Sequence, residues 1–216
     1  MKKLLTCLLA VAMVIAMAGC DLLSMFSKDE TPASTDKELS LGEVSDNKYE
    51  SEFIGIGYNL PESWRFYTDE EIAELNNYTG NIAGQDYKDL IKNATVVYDM
   101  MAASPSQTDN VVVTLEKKPN ATINNLNIAA SFESSFAMVK STFENMGYRN
   151  ITHEVTTVTV NGQVLDCMHI SATYAGQTMH QTSIMFKCNG YIATIALTTF
   201  DAAGTAPLLA NLYLLK

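Results

Sequence analysis

After residue 149 the chain is cut at nearly equal intervals by turn-forming dipeptides, and nothing else in it constrains the fold as strongly. "NITHEVTTVTV" stops at Asn161-Gly162, "QVLDCMHISATY" at Ala175-Gly176 and "QTMHQTSIMFKC" at Asn189-Gly190, before "YIATIALTTF". Asn-Gly is the strongest short hairpin signal, because both central residues of a type I′ turn need positive φ. Runs of β-branched and apolar residues between such turns predict a four-strand antiparallel meander. A tight Ala175-Gly176 turn would place His169 opposite Thr182, Ser171 opposite His180 and Cys167 opposite Ile184. Several strands carry apolar residues on both parities, as at Met168, Ile170, Ile184 and Met185. Burial of both faces is expected, with something covering the sheet on each side.

The segments upstream supply the rest of one domain. "FIGIGYNLPESW" alternates as a strand and ends in a turn, and Trp64 to Tyr67 suggests a second short strand. Thr68-Asp69-Glu70-Glu71 is a capping box with acids at the positive helix end, so a short helix should run to about Asn76. A weaker helical pattern covers Asp86 to Lys92. "TVVYDMMAAS" and "NVVVTLEKK" predict two further strands. Ile128, Phe132, Phe136, Val139, Phe143 and Met146 step by three and four, which makes one apolar stripe on a helix that Gly147 is placed to end. Such an aromatic stripe is the core face of a helix before it is a cofactor box. "TAPLLANLYLLK" predicts a C-terminal helix capped by Thr205, available to cover the second face of the sheet.

The "GIGYNLPESW" opening, the capped helix, the two strands, the long helix, the meander and the final helix together resemble the PsbP-like fold. The resemblance spans about residues 49 to 216. It implies an α+β domain in which an antiparallel sheet is covered by helices on both faces, a PsbP-like sandwich. It also implies an accessory or binding role, and it carries no catalytic residues.

The N-terminus addresses location. Lys2 and Lys3 precede an uncharged apolar stretch from Leu4 to Ala18, too short for the ~20 residues that cross a bilayer and shaped like a secretory signal. Met17-Ala18-Gly19-Cys20 resembles the lipobox of bacterial lipoproteins, with Met17 where leucine is usual. The resemblance implies a signal peptide over 1–19 and a lipidated Cys20 as the new N-terminus, anchored to the membrane because several acyl chains hold where one does not. Residues 20–48 are rich in Ser, Thr, Asp, Glu and Lys, which predicts a disordered acidic tether before a single domain over 49–216. Of 14 basic and 24 acidic residues, Lys2 and Lys3 leave with the signal, so the mature chain has 12 against 24 and a formal charge of −12. Such a surface repels nucleic acid and anionic lipid alike. The partners expected are therefore the membrane, through the lipid, and an unidentified protein, with no nucleic acid. The place is the extracytoplasmic side of the cell membrane.

Chemistry is sparse. The sequence holds no Gly-x-Ser-x-Gly elbow, phosphate loop, His-Glu-x-x-His or Cys-x-x-Cys. No catalytic residue, no cofactor and no metal site is assigned, and Cys20 is the one site residue. His169 and His180 fall on one sheet face as diagonal neighbours with Cys167 nearby; two hydrogen-bonded sheet histidines or part of a metal site would both satisfy this pattern. Asp166 lies in an apolar strand, where Arg149 or Lys187 could pair with it or a pocket could use it. The inferred register sets Cys167 and Cys188 about 13 Å apart along the strands, too far for a disulfide, so two free, buried thiols are expected. The expected function is a non-catalytic binding or accessory domain serving a membrane or envelope complex. The alternatives are a small-ligand or solute receptor and an envelope hydrolase.

Overall fold

A computed structural model describes residues 39–75 and 96–215. The element order is β1 (Glu43–Ser45), β2 (Lys48–Ser51), β3 (Ile56–Asn59), β4 (Arg65–Phe66), α1 (Asp69–Leu75), β5 (Val96–Ala103), β6 (Asn110–Lys117), α2 (Asn120–Asn125), α3 (Ile128–Asn145), β7 (Arg149–Val160), β8 (Gln163–Tyr174), β9 (Gln177–Cys188), β10 (Tyr191–Thr199), α4 (Ala206–Leu209) and β11 (Leu212–Leu214). The helical pattern at Asp86 to Lys92 lies outside the described residues, as does Cys20.

The meander forms as its turns require. Asn161, Ala175 and Asn189 have φ of 47°, 49° and 42°, and the glycine after each is also at positive φ. These are three type I′ hairpins, and β10 then pairs with β6 to extend the meander into an antiparallel seven-stranded sheet, β4-β5-β6-β10-β9-β8-β7. Ala175 holds a backbone conformation that costs most residues with a Cβ roughly 1–2 kcal/mol, and costs asparagine less because its short side chain hydrogen-bonds locally. Asparagine occupies the matching position in the other two turns, so Ala175→Asn should stabilise the domain by about 1 kcal/mol, read as a higher urea midpoint at unchanged slope.

Helix α3 covers one face of this sheet at the β7–β8 side. Its buried residues are Ile128, Phe132, Val139 and Phe143, the expected stripe, and Phe136 packs beside them. The Asn127 side chain accepts from the Ala130 amide at 2.9 Å to start the helix, and Gly147, at φ 96°, follows its end. The Phe136 ring stacks on His153, which also meets Glu133 at 3.1 Å and so ties α3 to β7. The capping box is present: the Glu71 amide donates to the Thr68 hydroxyl at 3.3 Å and the Thr68 amide to the Glu71 carboxylate at 3.0 Å.

The other face is not covered by a helix, which corrects the expected α+β sandwich with helices on both faces. It packs against a second sheet of order β1-β2-β3-β11. Tyr49, Ile56, Tyr58 and Leu212 of the small sheet share one core with Val113, Leu115, Ile184, Ile195 and Leu197 of the large one. The architecture is therefore mainly antiparallel β, two packed sheets with one long helix outside. The source of the difference is "TAPLLANLYLLK". Its helix stops after one turn, and Leu212–Leu214 pairs with Ile56–Tyr58 as an edge strand that buries Leu212 and turns Tyr213 outward. Tyr213 lies over Gly57, where a Cβ would collide with its ring. Pairing thus gives these residues more than a helix, because the strand fills a groove that only glycine leaves open.

The folded region also begins earlier than composition implies. Residues 39–48 belong by composition to the tether, yet β1 pairs with β2, Leu39 and Leu41 pack on the core, and Tyr49 covers Gly42. Two leucines and one backbone donor anchor this stretch, a signal too sparse to register against its charge.

Candidate functional site

The β8–β9 register is the expected one, with His169 opposite Thr182, Ser171 opposite His180 and Cys167 opposite Ile184. On the sandwich face, His169 Nδ1 and the Thr182 hydroxyl lie 2.7 Å apart, and Thr182 makes a short hydrogen bond to the Thr205 hydroxyl. His169 Nε2 lies 3.7 Å from Cys167 Sγ. Thr205 therefore does not cap α4 with its side chain; it latches that turn to the sheet. His180 stands apart from this chain, beside Gly204. Among the described residues no three His, Cys, Asp or Glu side chains gather as a metal site would require. Burial, reinforced by Asp166 and Glu154, pushes the Cys167 thiol up to about 11, which keeps it protonated and unreactive. Cys188 is held up at about 12, again chiefly by burial. Both cysteines are free, Cys167 buried and Cys188 half-buried.

Asp166 is half-buried opposite Thr157. Neither expected partner reaches it. Arg149 donates to the carbonyls of Glu144 and Tyr148, and Lys187 to that of Asn124. The buried acid that matters to the fold is Asp99, in the bulge between Tyr98 and Met100. Its carboxylate accepts from the Tyr49 hydroxyl at 2.6 Å and from the Gly42 amide at 2.7 Å, which staples the small sheet to the large one. Burial raises its pKa, and those two hydrogen bonds oppose the rise. A lone acid in "VVYDMMAA" was visible by the same logic that singled out Asp166.

The helix face of the large sheet carries a feature that pattern reading missed. Asn110 pairs with Thr198, Thr198 with Gln181, and Gln181 with Ile170, so one cross-strand row spans β6, β10, β9 and β8. The next row on that face is Val112, Ala196, Ser183 and Met168. Asn110, Thr198, Gln181 and Ser183 are all buried, and Asn110 Oδ1, Thr198 Oγ1, Gln181 Oε1 and Nε2, and Ser183 Oγ find no hydrogen-bond partner among the described residues. Thr114 and Thr194 continue the polar character one row further, up to a buried Glu116–Lys118 ion pair at 2.7 Å. These residues recur with period two among the apolar ones, and a polar residue in such a strand gives no sign by itself of whether it is buried. The signal that could have exposed them is the apolar residues that share their parity, Val112, Met179, Ile192 and Ala196, which mark that face as buried.

No family model matches the chain, and no curated protein matches it. Among solved structures it is similar to LpqN of Mycobacterium tuberculosis, described as involved in cell envelope biogenesis, at 12% identity and a TM-score of 0.41 over 91% of this chain and 96% of that one. It is also similar to a protein of Bacteroides thetaiotaomicron at 12% identity and a TM-score of 0.39, over 79% of this chain. The chain spans about half of that second protein, 48% of its length.

Proposed function

We propose that the chain is a lipid-anchored, extracytoplasmic binding domain without a reaction of its own, serving the membrane or envelope. The observation that carries the reading is the buried row of amides and hydroxyls on the helix face: it is recognition chemistry, rich in hydrogen-bonding groups, and none of the four residues is a base that could activate the hydroxyls. Hydrolysis would call on Cys167 or His169. The first is held protonated by burial and the second is tied to Thr182. The location rests on Met17-Ala18-Gly19-Cys20 and on the acidic mature chain, which needs a lipid to stay at an anionic surface. No helix among the described residues is long and apolar enough to cross a membrane.

Cys20→Ser should leave either an unprocessed precursor or a protein shed into the soluble fraction, while the wild type survives a salt and carbonate wash. Equal retention of the variant would sink the anchor. Crosslinking in the native membrane should then join the wild type to an envelope component and lose that product in the shed variant.

A further inference from the structure

We infer that Asn110, Thr198, Gln181 and Ser183 form the binding site for a neutral polyhydroxylated ligand, a saccharide in chemical class. The inference rests on reading the chain as a binding domain and names the ligand that reading leaves open. Eight buried side-chain polar atoms lack a hydrogen-bond partner among the described residues, and five of them belong to these four side chains. The four are 5%, 1%, 1% and 0% exposed, in that order. Native proteins leave few such groups, and a gathering of them on adjacent rows of three neighbouring strands asks for an occupant.

The inventory of the row specifies that occupant. Asn110 Oδ1 and Gln181 Oε1 only accept, Gln181 Nε2 only donates, and the two hydroxyls do either. The ligand must therefore offer donors and acceptors side by side. A vicinal diol does so: one hydroxyl donates to Oε1 while its neighbour accepts from Nε2 of the same planar amide. None of the four residues is charged, and Glu116 lies four to six residues further along β6 and is compensated by Lys118, so an ionic ligand would be desolvated without compensation. An apolar ligand would leave all five atoms unpaired. Met168 and Ile170 on β8 and Phe200 beyond Thr198 supply apolar surface for the C–H face of a sugar ring. The five atoms are closed to solvent in this structure, so access requires the contacts on the helix face to part. Phe132 of α3 packs in one core cluster with Ile170, at the β8 end of the row, and Met179.

The test uses the full lipidated chain in mild detergent, titrated calorimetrically with glucose and with N-acetylglucosamine. Glucuronate serves as a control of the same ring size that carries a charge. At least one neutral sugar should bind, glucuronate should not, and Gln181→Met and Thr198→Val should each weaken binding about tenfold or more with circular dichroism unchanged. Three results overturn the proposal: no binding of either sugar up to about 0.1 M, equal affinity in Gln181→Met, or a crystal structure grown with the sugars in which only ordered water bridges the five atoms. Any of these alongside a shed Cys20→Ser variant and an intact envelope crosslink removes the saccharide and leaves the binding-domain reading standing.

Discussion

Asp99→Ala is expected to cost the domain on the order of 3 kcal/mol, because it leaves a buried donor, the Tyr49 hydroxyl, and a half-buried one, the Gly42 amide, without an acceptor. The loss should fall on the joint between the two sheets, and amide exchange around Gly42 and Tyr49 should accelerate ahead of exchange in the meander. Asp99→Asn keeps one acceptor and should cost less. Its cost should also depend on pH in an unusual direction. Burial raises the Asp99 pKa in the folded protein above its ordinary carboxylate value. Between those two values the folded state binds more protons than the unfolded one, so the contribution of Asp99 is full below the ordinary value and is lost as pH rises through the folded value. Asparagine lacks this loss, so Asp99→Asn should look worse against wild type at about pH 4 than at about pH 7 in paired urea titrations. Glu71 has the opposite sign: its hydrogen bond with Arg65 lowers its pKa, so its support is present above the ordinary value and fades as pH falls through the folded value. A constant difference between wild type and Asp99→Asn across that range would mean that Asp99 is not raised.

Gln181→Met should stabilise the protein by about 2 kcal/mol, a gain rather than the loss expected of most core substitutions. The side chains are similar in size, and methionine removes two buried polar atoms that lack partners while adapting to Ile170 and Met179 around it. Thermal unfolding measures this directly. A lower melting temperature would show that both ends of the Gln181 amide are satisfied in solution, and the row would then be a structural network. A native protein that keeps a destabilising residue at such a position does so at the expense of stability, as sites shaped for binding commonly do.

Much of the fold was legible because its signals are local. The Asn-Gly and Ala-Gly turns give β7 to β10 their ends, and the Ile128-to-Met146 stripe gives α3 its length and buried face. The Thr68–Glu71 box is written in four residues. What was not legible depends on pairing between distant segments. "LYLL" has the composition of a helix end and became a strand only because β3 offers Gly57 and an open edge. Residues 39–48 read as tether because the acceptor for the Gly42 amide is Asp99, far along the chain. At the candidate site, composition could identify Gln181 and Asn110 as polar, but only the order β6-β10-β9 places them in one row, and only burial separates that row from an ordinary wet face.

The small sheet has a consequence for the order in which the protein can be made. Its strand β3 lies near the start of the folded region and its partner β11 at the far end, so that pairing has almost the largest sequence separation the domain contains. A chain synthesised N-terminus first can close the meander hairpins as each strand emerges, on the timescale of local turns. It cannot seat Tyr213 over Gly57 until β11 has been made. Until then Tyr49, Ile56 and Tyr58 lack the edge strand that completes their sheet, which makes that interval the one in which the domain is most open to misassembly.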